Sequence, residues 1–390
     1  MRRNNVLIAH AFFDVLGGAE ALALMAAKAL KESGFDVTIA TSTPLNTRRI
    51  KELFGVDTGY FRVLTVNVRP SGYVRFLPRG KFSILRRLAT YKSFFEGFLS
   101  RVNADYDLVM ETQSNMPSPA DISYIHLPYL TVLTNSLQRR GRIYYWLIKH
   151  YANSICRQAR SGRVLTNSTW TAAQVFRAYG VVAQVIYPPV DVEYFSKALS
   201  NECREKTVVT VCRFTREKRV ERVIDAAARL RDYTFIIMGS AGEESMSVVR
   251  SVKERVEELG LSNVDIRVNA SRKEVLECFK YAKYYLHPEY AEYFGMSIVE
   301  AMAAGLVPIV FRGGGAWYDV VSKVSDLLGY RRIEEVPRIV RRIDGERGLY
   351  ERLRERSASV SRLFSYSNFK GSLLKEVNHV LRIKALALEA

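Results

Sequence analysis

Two successive series of apolar segments, each alternating with helix-patterned stretches, constrain this chain more than any other feature. The first runs through NVLIAH (5–10), a helical pattern over about 19–33, FDVTIAT (35–41), DLVME (107–111), ISYIH (122–126) and RVLTNS (163–168). The second begins at Lys206 with KTVVTVC and continues through YTFIIMG (233–239), VDIRV (264–268), KYYLHP (283–288) and LVPIVF (306–311). Short β-branched runs of this kind bury both faces, and a helix between consecutive runs makes their pairing parallel. The pattern predicts an α/β protein with two doubly wound parallel sheets. Between the series lies YPPVD (187–191), whose two prolines stop a strand and stiffen a hinge. In such sheets ligands bind beyond the carboxyl ends of the strands, so the chemistry is sought there.

One of those strand ends carries HPEYAEYFGMSIVEAMAAG (287–305). Glu292 and Glu300 stand eight residues apart around a Phe294-Gly295 step that leads into a short helix over 296–304, with Gly305 as its left-handed stop. The free N–H groups and positive end of a helix attract an anion. A carboxylate offers two acceptor oxygens, which suits the vicinal diol of a sugar. Two acids flanking an anion-binding turn describe a sugar-nucleotide pocket. A pair of glutamates eight apart means nothing without that context, because solvated helix faces supply such pairs constantly.

The spacing, the Phe-Gly step and the Glu-Ala-Met-Ala-x-Gly tail resemble the Glu-x7-Glu signature of the retaining GT-B glycosyltransferases of family 4. The resemblance implies two Rossmann-like domains facing across a cleft: residues 1–186 for the acceptor, 187–365 for the nucleotide sugar, and 366–390 as a helix crossing back to the first. It implies that Glu292 holds the donor sugar's hydroxyls, Glu300 the ribose diol, and the turn at Phe294, Gly295 and Met296 the donor's phosphate. Arg213, at the end of the second series' first strand, and Lys218 match the family's Arg-x4-Lys pair. A forked cation and a mobile one suit the departing diphosphate. The neighbouring Arg216, Arg219 and Arg222 read as a solvated helix face.

LGGAE (16–20) opens the first helix, and Gly17 and Gly18 would let the backbone approach the donor; Glu20 reads as a first-turn carboxylate. His126, at the end of ISYIH, resembles the histidine that the family places beside the reacting sugar, where it binds a hydroxyl rather than acting as a strong base. The residues expected to act in catalysis are His126, Glu292, Arg213 and Lys218. His10 is a second strand-end candidate, while His150, His287 and His379 read as structural. GGGAWYDVV (313–321) would bring backbone close to the donor; many family members have a glutamate near Asp319, and Trp317 reads as core. Asp105 and Asp107 imitate a metal-binding Asp-x-Asp but precede an apolar strand as a surface entry. No metal and no cofactor are expected, because the cations and helix end already supply positive charge.

NSTWTA (167–172), VIYPPVDV (185–192), SYIHLP (123–128) and Asp319 resemble more closely the cytosolic mannosyltransferases that extend lipid-linked oligosaccharides from GDP-mannose. That implies a nucleotide-sugar donor and a polyprenyl-linked glycan acceptor. Charge points the same way. Of the net +18, residues 1–190 hold 24 Lys and Arg against 11 Asp and Glu, and residues 69–101 hold eight basic residues against Glu96 alone. A basic, aromatic-rich first half suits an anionic membrane surface. Ile84, Leu88, Tyr91, Phe95 and Phe98 form one helical stripe, with Lys81, Arg87 and Lys92 at its rim. The stripe itself reads as core. Arg139, Arg140, Arg142 and Lys149 bracket a second apolar patch, IYYWLI (143–148). No apolar run reaches the ~18 residues of a membrane span, and four scattered cysteines argue against a disulfide framework or zinc site. The expectation is a cytoplasmic protein, peripheral on the cytoplasmic face of the membrane. A UDP-hexose donor and a nucleotide-sugar epimerase are the alternatives; nucleic acid binding rests on charge alone, and no module for it is present.

Overall fold

The computed structural model describes residues 4–70, 72–78, 83–102, 104–131, 142–157, 162–201, 203–242 and 245–389. Contacts divide the chain into two compact units, Met1–Pro188 with Phe369–Ala390, and Pro189–Asn368. In the first unit the strands are β1 (Asn5–Ala9), β2 (Asp36–Thr41), β3 (Arg62–Thr65), β4 (Leu108–Glu111), β5 (Ile122–Ile125), β6 (Arg163–Thr166) and β7 (Gln184–Val185). In the second they are β8 (Glu205–Val211), β9 (Thr234–Gly239), β10 (Val264–Val268), β11 (Ala282–Leu286), β12 (Val307–Phe311) and β13 (Gly329–Tyr330).

The first sheet is ordered β3-β2-β1-β4-β5-β6-β7 and the second β10-β9-β8-β11-β12-β13. Every pairing in both is parallel. Each is the doubly wound arrangement that the alternation predicts. The interior strands are fully buried: Val6, Leu7 and Ile8 of β1 and Tyr284, Tyr285 and Leu286 of β11 expose nothing. That burial explains their continuous apolar runs. Three strands lack such a run and escape the sequence pattern. β7 and β13 are two residues long, and β3 is an exposed edge strand.

Strand order reverses beside β1 in the first sheet and beside β8 in the second. In sheets of this kind ligands bind at such a reversal, beside the loops after β1 and β4 and those after β8 and β11. Those four loops carry most of the candidate residues. The long helix Tyr366–Glu389 buries Phe369, Leu373 and Val377. It is tied to the first unit by Arg163–Glu376 at 2.7 Å, Lys370–Glu32 at 2.8 Å and Lys384–Asp121 at 2.9 Å.

The helix Ser83–Phe94 and the π-helical turn Phe95–Leu99 turn their aromatic stripe inward. Leu88, Tyr91 and Phe95 are buried, and Ile84 and Phe98 pack against the same cluster. This stripe is core. The helix Arg142–Arg157 packs there too through Ile148 and Ala152. Lys81, Arg139 and Arg140 lie outside the described residues, as do the side chains of Arg142, Ile143 and Tyr145.

Candidate active site

In the second unit the loops after β8 and β11 meet at one carboxylate. Lys218 Nζ lies 2.7 Å from Glu292 Oε2. The Tyr290 hydroxyl donates to the same oxygen at 2.6 Å, and the Tyr293 N–H reaches Oε1 at 3.1 Å. Lys218 also sits 4.6 Å from the centre of the Tyr290 ring. Burial would push the Glu292 carboxyl up, but the Lys218 charge, with His287 close by, outweighs it and holds the group well below the usual carboxylate range. Glu292 is therefore ionised and oriented.

Its backbone is fixed as firmly. Glu292 bridges Gly314, and its carbonyl accepts the Ala316 N–H at 3.2 Å. Gly314 has φ +80°, and a Cβ there would run into the Glu292 backbone. Gly314 thus makes room for the protein's own chain at Glu292. Trp317 is buried beneath Arg312, whose guanidinium stands 4.7 Å from the ring, and Asp319 is buried in the same turn.

Gly295, at φ +87°, starts the helix Met296–Ala303 and leaves its first N–H groups without intrahelical acceptors. Phe294 is buried edge-on to Phe364 at 5.3 Å, so only its backbone can meet a ligand. Gly305 closes the segment at φ +85°. Glu300 is half-buried on the same helix, and among the described residues no side chain hydrogen-bonds its carboxylate. Burial pushes Glu300 up to about 7, with Arg272 opposing and Asp191 adding to the shift. Arg272 and Asp191 pair at 2.6 Å, and the guanidinium stacks 4.2 Å from the Tyr194 ring centre. An acid this hard to ionise gains most from hydroxyl partners.

Arg213 follows β8, is exposed, and makes no ion pair among the described residues. Its neighbours correct one expectation. Arg216 and Arg219 are exposed as expected, but Arg219 and the half-buried Arg222 also anchor the loop that carries Glu292. Arg222 reaches Glu289 Oε2 at 3.1 Å and Asp225 at 2.9 Å, and Arg219 donates to the Glu289 carbonyl at 2.9 Å. The Glu289 carboxylate also accepts the Ile333 N–H at 2.9 Å.

The first unit gathers a separate polar cluster at the carboxyl ends of β1, β4 and β5. Glu20 caps the Gly17 N–H at 2.9 Å, at the start of the helix Gly18–Glu32. Burial would raise the Glu20 carboxyl, yet His10 and that N–H hold it lower. The Gln113 amide pairs with Phe12 like a strand, accepting its N–H at 2.8 Å and donating to its carbonyl at 2.6 Å. It also reaches Glu20 at 3.4 Å. His126 Nε2 lies 2.9 Å from the Thr112 carbonyl, so that nitrogen carries the proton and Nδ1 is left as an acceptor. Burial lowers the His126 ring to about 4, so it stays neutral at pH 7. Asp107 accepts the Asn5 N–H at 2.7 Å on the exposed approach to β4.

The geometry therefore brings Lys218 and Glu292 together, with Glu300 on the next helix, and sets Gly17 and His126 in one cluster of the other unit. Sequence reading missed Tyr290, Arg272, Asp191 and Gln113. Arg272, Asp191 and Gln113 meet partners far away in sequence, Tyr290 is an ordinary loop tyrosine two residues from Glu292, and no local pattern marks any of them.

Two family models match consecutive stretches: glycosyltransferase family 4 over residues 16–194, and glycosyl transferases group 1 over 191–357. The chain belongs to the group 1, family 4 glycosyltransferases. A GDP-Man:Man(3)GlcNAc(2)-PP-Dol alpha-1,2-mannosyltransferase from Neurospora crassa is 29% identical over 193 residues, covering 42% of this chain and 35% of the relative. The mouse protein of the same name is 25% identical over 288 residues, covering 69% and 55%. The chain thus spans about a third to a half of these relatives' length. The crystal structure of an Anabaena glycosyltransferase, HepE, with UDP-glucose aligns over 97% of this chain and 100% of its own, with a TM-score of 0.69 at 16% identity. That likeness gives this glycosyltransferase its fold, GT-B.

Proposed function

We propose that this glycosyltransferase moves mannose from GDP-mannose to a lipid-linked glycan with retention of configuration. The observation that carries the reading is the Lys218–Glu292 pair beside the helix that bears Glu300. A cation on the loop after β8, an ionised carboxylate on the loop after β11 and a second carboxylate on the helix that follows support phosphate, hexose and diol binding respectively. Glu292, already ionised, takes the hexose hydroxyls, and Glu300 takes the ribose. Arg213 and Lys218 draw off the diphosphate, the largest charge that develops as the sugar departs. His126 Nδ1 accepts from a donor hydroxyl, and the Gly17–Gly18 turn approaches the donor. The relatives' names support mannose and a dolichol-linked acceptor.

In the same reading the first unit docks peripherally on the cytoplasmic face of a membrane, on anionic lipid. Phe76 is 72% and Trp146 62% exposed; Arg75 covers the Phe76 ring at 4.6 Å, and Lys149 is exposed one turn from Trp146. Aromatic rings flanked by cations suit the headgroup layer. No helix among the described residues is long and apolar enough to cross a membrane.

The test is incubation with labelled GDP-mannose or UDP-glucose and a polyprenyl-linked glycan. Label that moves into organic solvent from GDP-mannose alone supports the reading. Transfer from UDP-glucose alone moves the donor, and label that stays in water removes the lipid acceptor.

A further inference from the structure

His287, read from the sequence as structural, occupies a place that packing does not explain. It follows β11 directly and is 2% exposed. Among the described residues neither ring nitrogen has a hydrogen-bond partner. Its backbone is satisfied on both sides, the N–H by the Ile309 carbonyl at 2.9 Å and the carbonyl by the Tyr330 hydroxyl at 2.6 Å. Only the ring is left over. A buried polar group without a partner costs stability that an apolar side chain of the same size would not.

The ring is aimed at the site. Nε2 stands 3.7 Å from Glu292 Oε2, just too far for a hydrogen bond, and the ring centre lies 4.5 Å from that of Tyr290. That oxygen is already occupied by Lys218 at 2.7 Å and the Tyr290 hydroxyl at 2.6 Å. If Lys218 binds a diphosphate, as the proposed function has it, Glu292 loses its cation while remaining largely buried. Leaving one member of such a pair uncompensated is costly. The side chain placed to take over is His287, a few tenths of an ångström short of contact.

We propose that His287 is a positioning residue that takes over Glu292 Oε2 when Lys218 turns to the donor's diphosphate. The exchange keeps Oε1 presented to the hexose. Lys218 thus serves two partners in turn, and the carboxylate stays oriented throughout. The other ionisable groups around the ring do not compete for the role. Tyr290 is a neutral hydroxyl already bonded to Glu292, and the Tyr330 hydroxyl is spent on the His287 carbonyl. Burial likewise keeps His287 neutral in the unliganded chain, and a neutral ring needs only its Nε2 proton to donate.

The inference rests on the glycosyltransferase reading, and its test separates the two. Affinities for GDP and GDP-mannose, and for UDP and UDP-glucose, are measured on the wild-type chain, His287→Met and His287→Gln. Methionine keeps the volume without a donor, and glutamine restores an N–H near the Nε2 position. The wild-type chain's preferred pair sets the comparison. His287→Met is expected to lose about 10-fold in affinity for the sugar nucleotide, the effect of one hydrogen bond to a charged group. The bare diphosphate draws Lys218 from Glu292 as well, so its affinity should fall too, and His287→Gln should recover most of both losses. The proposal is overturned if His287→Met weakens neither ligand or is not rescued by glutamine. An unrescued loss would mark a purely structural histidine, and a melting-temperature comparison of the two variants checks that both fold. Preference for the UDP pair corrects the donor and leaves the inference standing, whereas binding of none of the four ligands overturns both.

Discussion

Glu300 sits where charge is expensive, and that makes its ionisation measurable. Its carboxyl titrates near 7 in the folded chain, against 4.5 for an ordinary glutamate. A raised acid destabilises the folded state once it must ionise. The penalty is absent below about 4.5, grows as pH rises, and is complete above about 7. Glu300→Gln should therefore gain melting temperature over wild type at pH 8 and little at pH 4.5. Donor binding should show the opposite need, because the ionised form is the better acceptor for a diol. Wild-type KM for GDP-mannose should fall between pH 6 and 8, while the Glu300→Gln profile stays flat across that window. Glu300→Ala should cost about 1.5–3 kcal/mol of donor binding. An unchanged donor KM in that variant would remove Glu300 from the site. Lys218→Met strands Glu292 without its cation, so it should weaken GDP binding and lower stability together, read by calorimetry and thermal melting.

At the scale of elements, the turn after β12 tests how Glu292 is held. Gly314→Ala places a methyl against the Glu292 carbonyl at a φ that side chains rarely adopt. It should reduce kcat by at least 10-fold and lower the melting temperature, because the Glu292 loop must shift to admit it. Gly345→Ala is the control: it has open space around it and should change neither. The two helix ends of the site were legible in advance, since Gly295 and Gly305 mark both ends of one short helix. What the spacing did not disclose is the work of Arg219 and Arg222. A run of cations ahead of a helix looks solvated unless the distant Glu289 and Glu334 are known to meet it. The aromatic stripe over 84–98, by contrast, read as core from its period, and its packing on Ile148 and Ala152 bears that out.

At the scale of the whole molecule, the chain leaves its first unit at Pro188 and returns to it at Phe369. Removing residues 369–390 exposes the surface that Phe369, Leu373 and Val377 cover, and frees Arg163 and Asp121 of their partners. Such a truncation should lower the melting temperature of the first unit or make the chain aggregate, seen by thermal melting and light scattering. Membrane docking belongs to this scale too. Binding to vesicles of anionic lipid should weaken as salt rises, and Trp146→Ser should weaken it further without altering GDP affinity.

By itself the sequence determined two parallel sheets and the helix that follows Gly295, and it marked the residue types proposed to grip a sugar nucleotide. All of these rest on local rules: apolar runs, proline stops, glycine caps and the fixed spacing of Glu292 and Glu300. Only the tertiary structure decided that Lys218 is already committed to Glu292, that Gly314 yields to the Glu292 backbone, and that neither nitrogen of the buried His287 ring has a hydrogen-bond partner among the described residues. Those facts depend on contacts between residues tens of positions apart, and a contact formed by folding leaves no mark on either of its halves alone.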